Sequence, residues 1–231
     1  MRNLVVLTGA GISAESGIST FRDANGLWEG YDIMEVASPQ GWKKNPTLVN
    51  AFYNARRAQL KTVKPNLAHT ILAELENFFK VTIITQNVDN LHERAGSKNV
   101  IHLHGELTKV RPVNNDLITL EWDADLLETD QLNGVPLRPH IVWFGEAVPL
   151  LDTAIQMVQQ ADILLIIGTS LQVYPAASLF EYAKTNCAIY YIDANPATAV
   201  SKRHNIHIIK NLASIGLQEL KQTVLADFSN L

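Results

Sequence analysis

The chain has 231 residues, 47% hydrophobic and 18% charged, with 12 glycines, 9 prolines and a net charge of −4. That is ordinary globular composition, and it excludes collagen-like, low-complexity and wholly disordered classes. The slight acidity argues against non-specific binding to nucleic acid or an anionic membrane surface, and no apolar run approaches the roughly 20 residues of a membrane span.

The first element expected is a strand over Asn3 to Thr8, a continuous apolar run that stops at Gly9-Ala10-Gly11. Met1 runs almost directly into it, so no secretory signal is expected and the location read is cytoplasmic. From about 23 to 64, aromatic and amphipathic spacing without a strand predicts a helical excursion, with one helix from about Pro46 to Leu60. A helix from about Leu67 to Phe79 leads into a second strand at Val81 to Thr85. Residues 109 to 137 are mixed, with β-like pieces such as Leu117-Ile118-Thr119-Leu120 and an Asn133-Gly134 turn signal. Strands follow at Ile163 to Ile167, Ala188 to Ile192 and Ile206 to Ile209, then a last helix from roughly Ala213 to Phe228.

Buried strands alternating with helices predict an α/β fold, a doubly wound, Rossmann-like parallel sheet with its ligand at the carboxyl ends of the strands. The expected core comprises about 1–22, 65–108 and 138–231, with 23–64 and 109–137 forming a smaller inserted module. Cys187, the single cysteine, permits no intrachain disulfide and reads as a small core residue.

Gly9-Ala10-Gly11-Ile12-Ser13-Ala14 matches G-x-G-x-x-A directly after a strand. The glycines permit the tight turn and let a pyrophosphate approach the backbone, and the small last position allows helix–strand packing. An ordinary strand–turn–helix rich in small residues would read the same way. Hydride transfer is disfavoured, because no strand with an acidic ribose ligand follows about 20 residues on. A dinucleotide is expected in some other role.

The chain resembles the sirtuins, NAD-dependent protein-lysine deacylases, in six segments in the family's order. They are Gly9 to Ile18 with Phe21-Arg22, Thr85 to His92, His102 to Leu107, Arg138 to Glu146, Gly168 to Leu171 and Asp193 to Pro196. Without terminal extensions, it is similar to the short bacterial members. The resemblance implies transfer of an acyl group from a modified lysine to the ADP-ribose of NAD, with release of nicotinamide.

In that reading Gly9, Ala10, Gly11, Ile12, Ser13, Ala14, Thr20, Phe21, Arg22 and Trp28 belong to the NAD site. Asp89 would hold the nicotinamide amide, Asn87 and Val88 would line the same pocket, and Gln86 would bind the nicotinamide ribose. Gly168, Thr169 and Ser170 would meet the phosphates and adenosine ribose, with Asn195 on that ribose and Ala213 near the adenine. His104 is the implied general base, with Asn87 the second catalytic residue; a neutral imidazole suits that task. His102 is read as a surface or packing residue.

The peptide is expected as an added strand between Val142-Trp143-Phe144-Gly145-Glu146 and the segment containing Val173. Backbone pairing predicts loose sequence specificity. Tyr53 and Arg56 stand three apart on one helix face, at the point where desuccinylating and demalonylating sirtuins carry Tyr-x-x-Arg. A guanidinium and a hydroxyl suit an acyl carboxylate. The neighbouring Arg57, pointing about 100° away, is read as solvated.

Most of the family carries two Cys-x-x-Cys pairs holding a structural zinc between the His-Gly and Arg-Pro-His segments. Residues 109–137 contain neither cysteine nor histidine, so no zinc is expected. Leu117, Ile118, Leu120, Trp122, Leu126 and Leu127 are expected to hold the module instead. NAD is the expected co-substrate, acyl-lysine proteins the partners, and a monomer the expected state. Alternatives are a mainly deacetylating enzyme, an ADP-ribosyl transferase and a non-catalytic NAD- or ADP-ribose-binding module.

Overall fold

The computed structural model describes residues 1–19, 27–28, 30–197 and 205–222. In chain order the first half carries β1 (Asn3–Thr8), α1 (Gly11–Ala14), β2 (Leu27–Trp28), β3 (Tyr31–Asp32), α2 (Ile33–Val36), α3 (Pro39–Lys44) and α4 (Pro46–Thr62). It continues with α5 (Leu67–Glu74), β4 (Lys80–Thr85), α6 (Leu91–Arg94), β5 (Val100–His102) and β6 (Gly105–Pro112). Then come β7 (Leu120–Glu121), β8 (Gln131–Leu132), β9 (Val135–Ile141), α7 (Leu151–Gln160), β10 (Ile163–Ile167), β11 (Ala188–Ile192), β12 (Ile206–Ile209) and α8 (Ala213–Leu220).

The apolar runs form a six-stranded parallel sheet in the order β12-β11-β10-β1-β4-β5. Along β1 successive side chains serve opposite faces. Leu4 and Val6 pack with Ala68, Leu72, Ala213 and Leu217 of α5 and α8, while Val5 and Leu7 pack with Ala154, Val158 and Leu179. Cys187 belongs to that second cluster. The sheet grows from β1 through β4 to β5, then returns to the other side of β1 at β10 and grows outward to β12. The direction of growth therefore reverses between β1 and β10, where such sheets open a crevice for ligand.

A four-stranded antiparallel sheet, β7-β6-β9-β8, occupies Gly105 to Ile141. Asn133 and Gly134, both at positive φ, close its β8–β9 hairpin. Helices α2 to α4 pack against it and beside the crevice, through Val36, Val49, Phe52 and Tyr53 with Leu107, Ile141 and Trp143. Asn45 caps α4, with Pro46 in the first turn, and Asn66 with His69 forms a capping box on α5.

The structure differs from the sequence expectation in several places. The helical excursion contains a two-residue hairpin, β2–β3, too short to generate any periodicity. The helix expected to reach about Phe79 ends at Glu74 and tightens to a 3₁₀ turn over Leu75–Asn77. In the last helix, the stretch beyond 222 lies outside the described residues.

Of the β-like piece near 117, only Leu120 and Glu121 pair. Asn115 Oδ1 accepts from Leu117 N at 2.9 Å, a side-chain turn that competes with the ladder. Leu117, Ile118 and Leu127 are exposed, and the module's small core is Val110, Leu126 and Leu137 with Leu120, Trp122 and Leu132.

Arg57 is not a solvated residue: it is 2% exposed. Its guanidinium donates to Leu107 O (3.0 Å), Asn54 Oδ1 (2.7 Å) and Ala124 O (3.3 Å), tying α4 to β6 and to the loop beyond β7. Arg57→Met would leave both carbonyls without this donor. We expect it to lower the unfolding free energy by about 2–3 kcal/mol. Urea denaturation checks this, and a change under about 0.5 kcal/mol would show that the tie carries no stability.

Candidate active site

The site begins where two glycine turns meet. Gly11 N donates to Gly168 O at 2.8 Å, and Gly168 takes a positive φ of 61°. A Cβ on Gly168 would stand 2.3 Å from Ile12 N, and one on Gly9 would stand 2.7 Å from Thr169 Cβ. Only bare backbone lets the loops after β1 and β10 approach this closely. Ile12, expected in the NAD site, is fully buried beneath the turn and does not line the cavity above it.

The loop after β4 docks onto this pair. Gln86 N donates to Thr8 O at 2.9 Å, and Gln86 Nε2 reaches Thr169 Oγ1 at 3.1 Å. Asn87 Nδ2 donates to Gly9 O and Ser13 Oγ, both at 3.1 Å. Ser13 Oγ in turn donates to Asp89 Oδ2 at 3.0 Å, while Leu91 N donates to Asp89 Oδ1 at 3.1 Å. A chain of polar groups thus joins the glycine turn to a buried carboxyl. Burial pushes the Asp89 carboxyl up, and the bonds from Leu91 and Ser13 oppose it.

Two histidines two residues apart grip successive carbonyls of that loop. His104 Nδ1 lies 3.0 Å from Gln86 O, and His102 Nδ1 lies 3.1 Å from Asn87 O. A carbonyl only accepts, so each Nδ1 carries a proton. For neutral His104 this assigns the Nε2 lone pair as its basic site; burial pulls its pKa below 6.5, the Gln86 bond opposing.

His102 differs, because its Nε2 faces Glu93 Oε1 at 2.7 Å. Both its nitrogens donate, which makes it an imidazolium. Burial pulls its pKa down, but the bond and charge of Glu93 outweigh that and leave it raised. His102 is therefore a charged clamp on Asn87, more than a packing residue.

Beyond β10 the wall is set by Tyr191, whose hydroxyl donates to Thr169 O at 2.8 Å and accepts from Ala197 N at 3.0 Å. After β11, Asn195 N donates to Asp193 Oδ1 at 2.7 Å, and Asn195 lines the cavity. Ala213, at the start of α8, lines it too, and Glu15 anchors that helix end by accepting from Ser214 N at 3.0 Å.

The opposite wall comes from the module. Tyr53 and Arg56 line the same cavity as His104, and Tyr53 OH accepts from Trp143 Nε1 at 3.1 Å. Arg56 lies 5.2 Å from the Phe52 ring centroid. Glu146 is turned into the fold: it takes two hydrogen bonds from Arg138, at 2.7 and 3.1 Å, and one from Trp143 N at 2.8 Å. Phe144 N donates to Ala37 O at 3.0 Å, linking this segment to the helical layer.

The cavity measures about 420 Å³. Its lining follows β5, β4, β1, β10, β11 and β12 in spatial order, a trough across the sheet's carboxyl edge. An elongated ligand with polar ends fits that shape: bare glycine backbone at the middle, Asn87, Asp89 and His104 at one end, Asn195 and Ala213 at the other. Ala10, Gly11, Ala14, Val88, Ser170, Val142, Gly145 and Val173 also line it.

Thr20, Phe21 and Arg22 lie outside the described residues, as does the side chain of Trp28. Arg57 and Tyr191 were missed. A tyrosine inside a buried apolar strand was the available signal for Tyr191, since its hydroxyl needs a partner. Among the described residues no group of three or more His, Cys, Asp or Glu could hold a metal ion, and no helix is long and apolar enough to cross a membrane.

A sequence profile of the Sir2 family matches residues 9–175. The chain is 60% identical over 216 residues to the NAD-dependent protein deacylase of Helicobacter pylori, covering 93% of this chain and 91% of that relative. It is 54% identical over 233 aligned positions to the NAD-dependent protein deacylase of Bacteroides thetaiotaomicron, covering 97% and 99%. The crystal structure of a Sir2 homolog–NAD complex superposes with a TM-score of 0.87 at 41% identity, over 98% of this chain and 91% of that one.

The two histidines give a direct electrostatic test. In an NMR titration of the imidazole resonances, His104 should titrate below pH 6.5 and His102 above it. The reverse order would contradict the assignment of His102 as the charged clamp and His104 as the neutral imidazole.

Proposed function

The chain belongs to the Sir2 family, and from that premise we propose that it is an NAD-dependent protein-lysine deacylase preferring succinyl or malonyl groups and also accepting acetyl. One observation carries the proposal: His104, Asn87 and Asp89 share a cavity with the paired glycine turns and with Tyr53 and Arg56. A catalytic base, a dinucleotide-sized trough and a candidate anion reader therefore face one space.

NAD, when bound, supplies the ribose that loses nicotinamide and accepts the acyl group. Gly9, Gly11 and Gly168 to Ser170 would carry its diphosphate on backbone groups, with Asn195 and Ala213 beyond. Thr20, Phe21, Arg22 and Trp28 remain part of the proposed NAD site. Asp89, fixed by Ser13, would hold the nicotinamide amide, and Asn87, fixed by Gly9, would line the same pocket. His104 Nε2 would take the proton of a ribose hydroxyl, its Nδ1 staying on Gln86 O. The acylated segment would lie as an added strand between Val142 to Glu146 and the Val173 segment. Tyr53 and Arg56 would meet a terminal carboxylate, the guanidinium supplying charge and the phenol a donor.

Incubation with NAD and matched succinyl-lysine and acetyl-lysine peptides, read by mass spectrometry, tests this. We expect O-succinyl-ADP-ribose from the wild type and at least about a hundredfold loss with His104→Ala on both peptides. Arg56→Met should cut succinyl turnover about tenfold or more while sparing acetyl turnover. Acetyl turnover alone would overturn the carboxylate reading. NAD binding with no turnover would replace the enzyme by a binding module, and labelled ADP-ribose left on protein would indicate a transferase.

A further inference from the structure

The acyl end of the cavity contains a hydrogen bond with a fixed polarity. Trp143 Nε1 lies 3.1 Å from Tyr53 OH, and both rings are buried, Trp143 at 2% exposure and Tyr53 at 0%. An indole N–H donates and never accepts, so the phenol oxygen is the acceptor. The phenol's own hydrogen is thereby turned away from Trp143.

Trp143 is itself held on two sides. Arg138 Cζ stands 3.3 Å from the centroid of the Trp143 ring, and the Trp42 ring centroid lies 5.6 Å away. Arg138 is in turn fixed by Glu146, which also accepts from Trp143 N at 2.8 Å. A cation over an indole face draws electron density from the ring and strengthens its N–H as a donor. Burial keeps the Tyr53 phenol protonated far above its ordinary range.

Resting on the proposed carboxylate reading, we infer that Trp143 is a positioning residue for acyl-group selection: its indole N–H locks the Tyr53 hydroxyl as a donor toward an acyl carboxylate. Without that N–H the phenol hydrogen can turn to another acceptor, and the discrimination between an anionic and a neutral acyl group weakens. The Arg138–Glu146 pair acts behind it, holding the indole rather than touching the acyl group.

The test is a double-mutant cycle on the succinyl-to-acetyl ratio of kcat/KM. Trp143→Phe removes the donor. Site-specific replacement of Trp143 by 3-benzothienylalanine removes it while keeping the ring's shape, so it decides the matter if the phenylalanine variant folds poorly. In the wild-type background the ratio should fall about tenfold, mainly through the succinyl KM. In a Tyr53→Phe background the same replacement should change it by no more than about twofold.

An unchanged ratio, in a protein whose ratio does fall with Tyr53→Phe, would overturn the inference and leave the carboxylate reading standing. An equal fall in both backgrounds would also overturn it, because Trp143 would then act independently of Tyr53. If neither Tyr53→Phe nor Arg56→Met moves the ratio, the carboxylate reading fails and takes the inference with it.

Discussion

Two glycine turns touch at the point where the parallel sheet reverses its growth, and the rest of the site is arranged around that contact. Gly11 N bonds to Gly168 O at 2.8 Å, and a side chain at Gly9, Gly11 or Gly168 would collide with the opposing turn at 2.7 Å or less. The approach leaves backbone groups bare along the crevice and fixes the loop after β4, which bonds to both turns through Gln86 and Asn87. From there the order passes to Asp89 through Ser13, and to the histidine clamp through the Gln86 and Asn87 carbonyls. An error of one methyl group at the turns would be felt at His104 and Asp89 together.

The module supplies the wall that the sheet lacks. Its own core is small, and buried cations brace it: Arg57 ties α4 to Leu107 and Ala124, and Arg138 holds Ile141 and, beyond β9, Glu146. Buried guanidiniums at several fixed acceptors hold orientation well, since their planar fork is rigid and always charged. The same Arg138 braces Trp143, so this bracing and the cavity wall beside Tyr53 share a residue.

The long parallel strands were legible because a strand buried on both faces reads as an uninterrupted apolar run; β10 and β11 start and stop where that run does. Two-residue strands carry no such signal, which is why β2 and β3 did not read as strands. Leu117 and Ile118 read as strand, yet the local turn at Asn115 wins over side-chain propensity. Arg57 was misread because α4 is covered on more than one side, by its own layer and by β6. For the site, the glycine spacing and the His-x-His interval were visible in the chain. What His102 grips depends on β5 pairing with β4, a long-range fact that only the fold supplies.

A crystal structure of the protein with ADP-ribose addresses the central claim most directly. The account predicts the diphosphate between the Gly9–Gly11 and Gly168–Ser170 turns, the adenosine toward Asn195 and Ala213, and the distal ribose at His104. Density for the diphosphate anywhere away from the paired turns would contradict it.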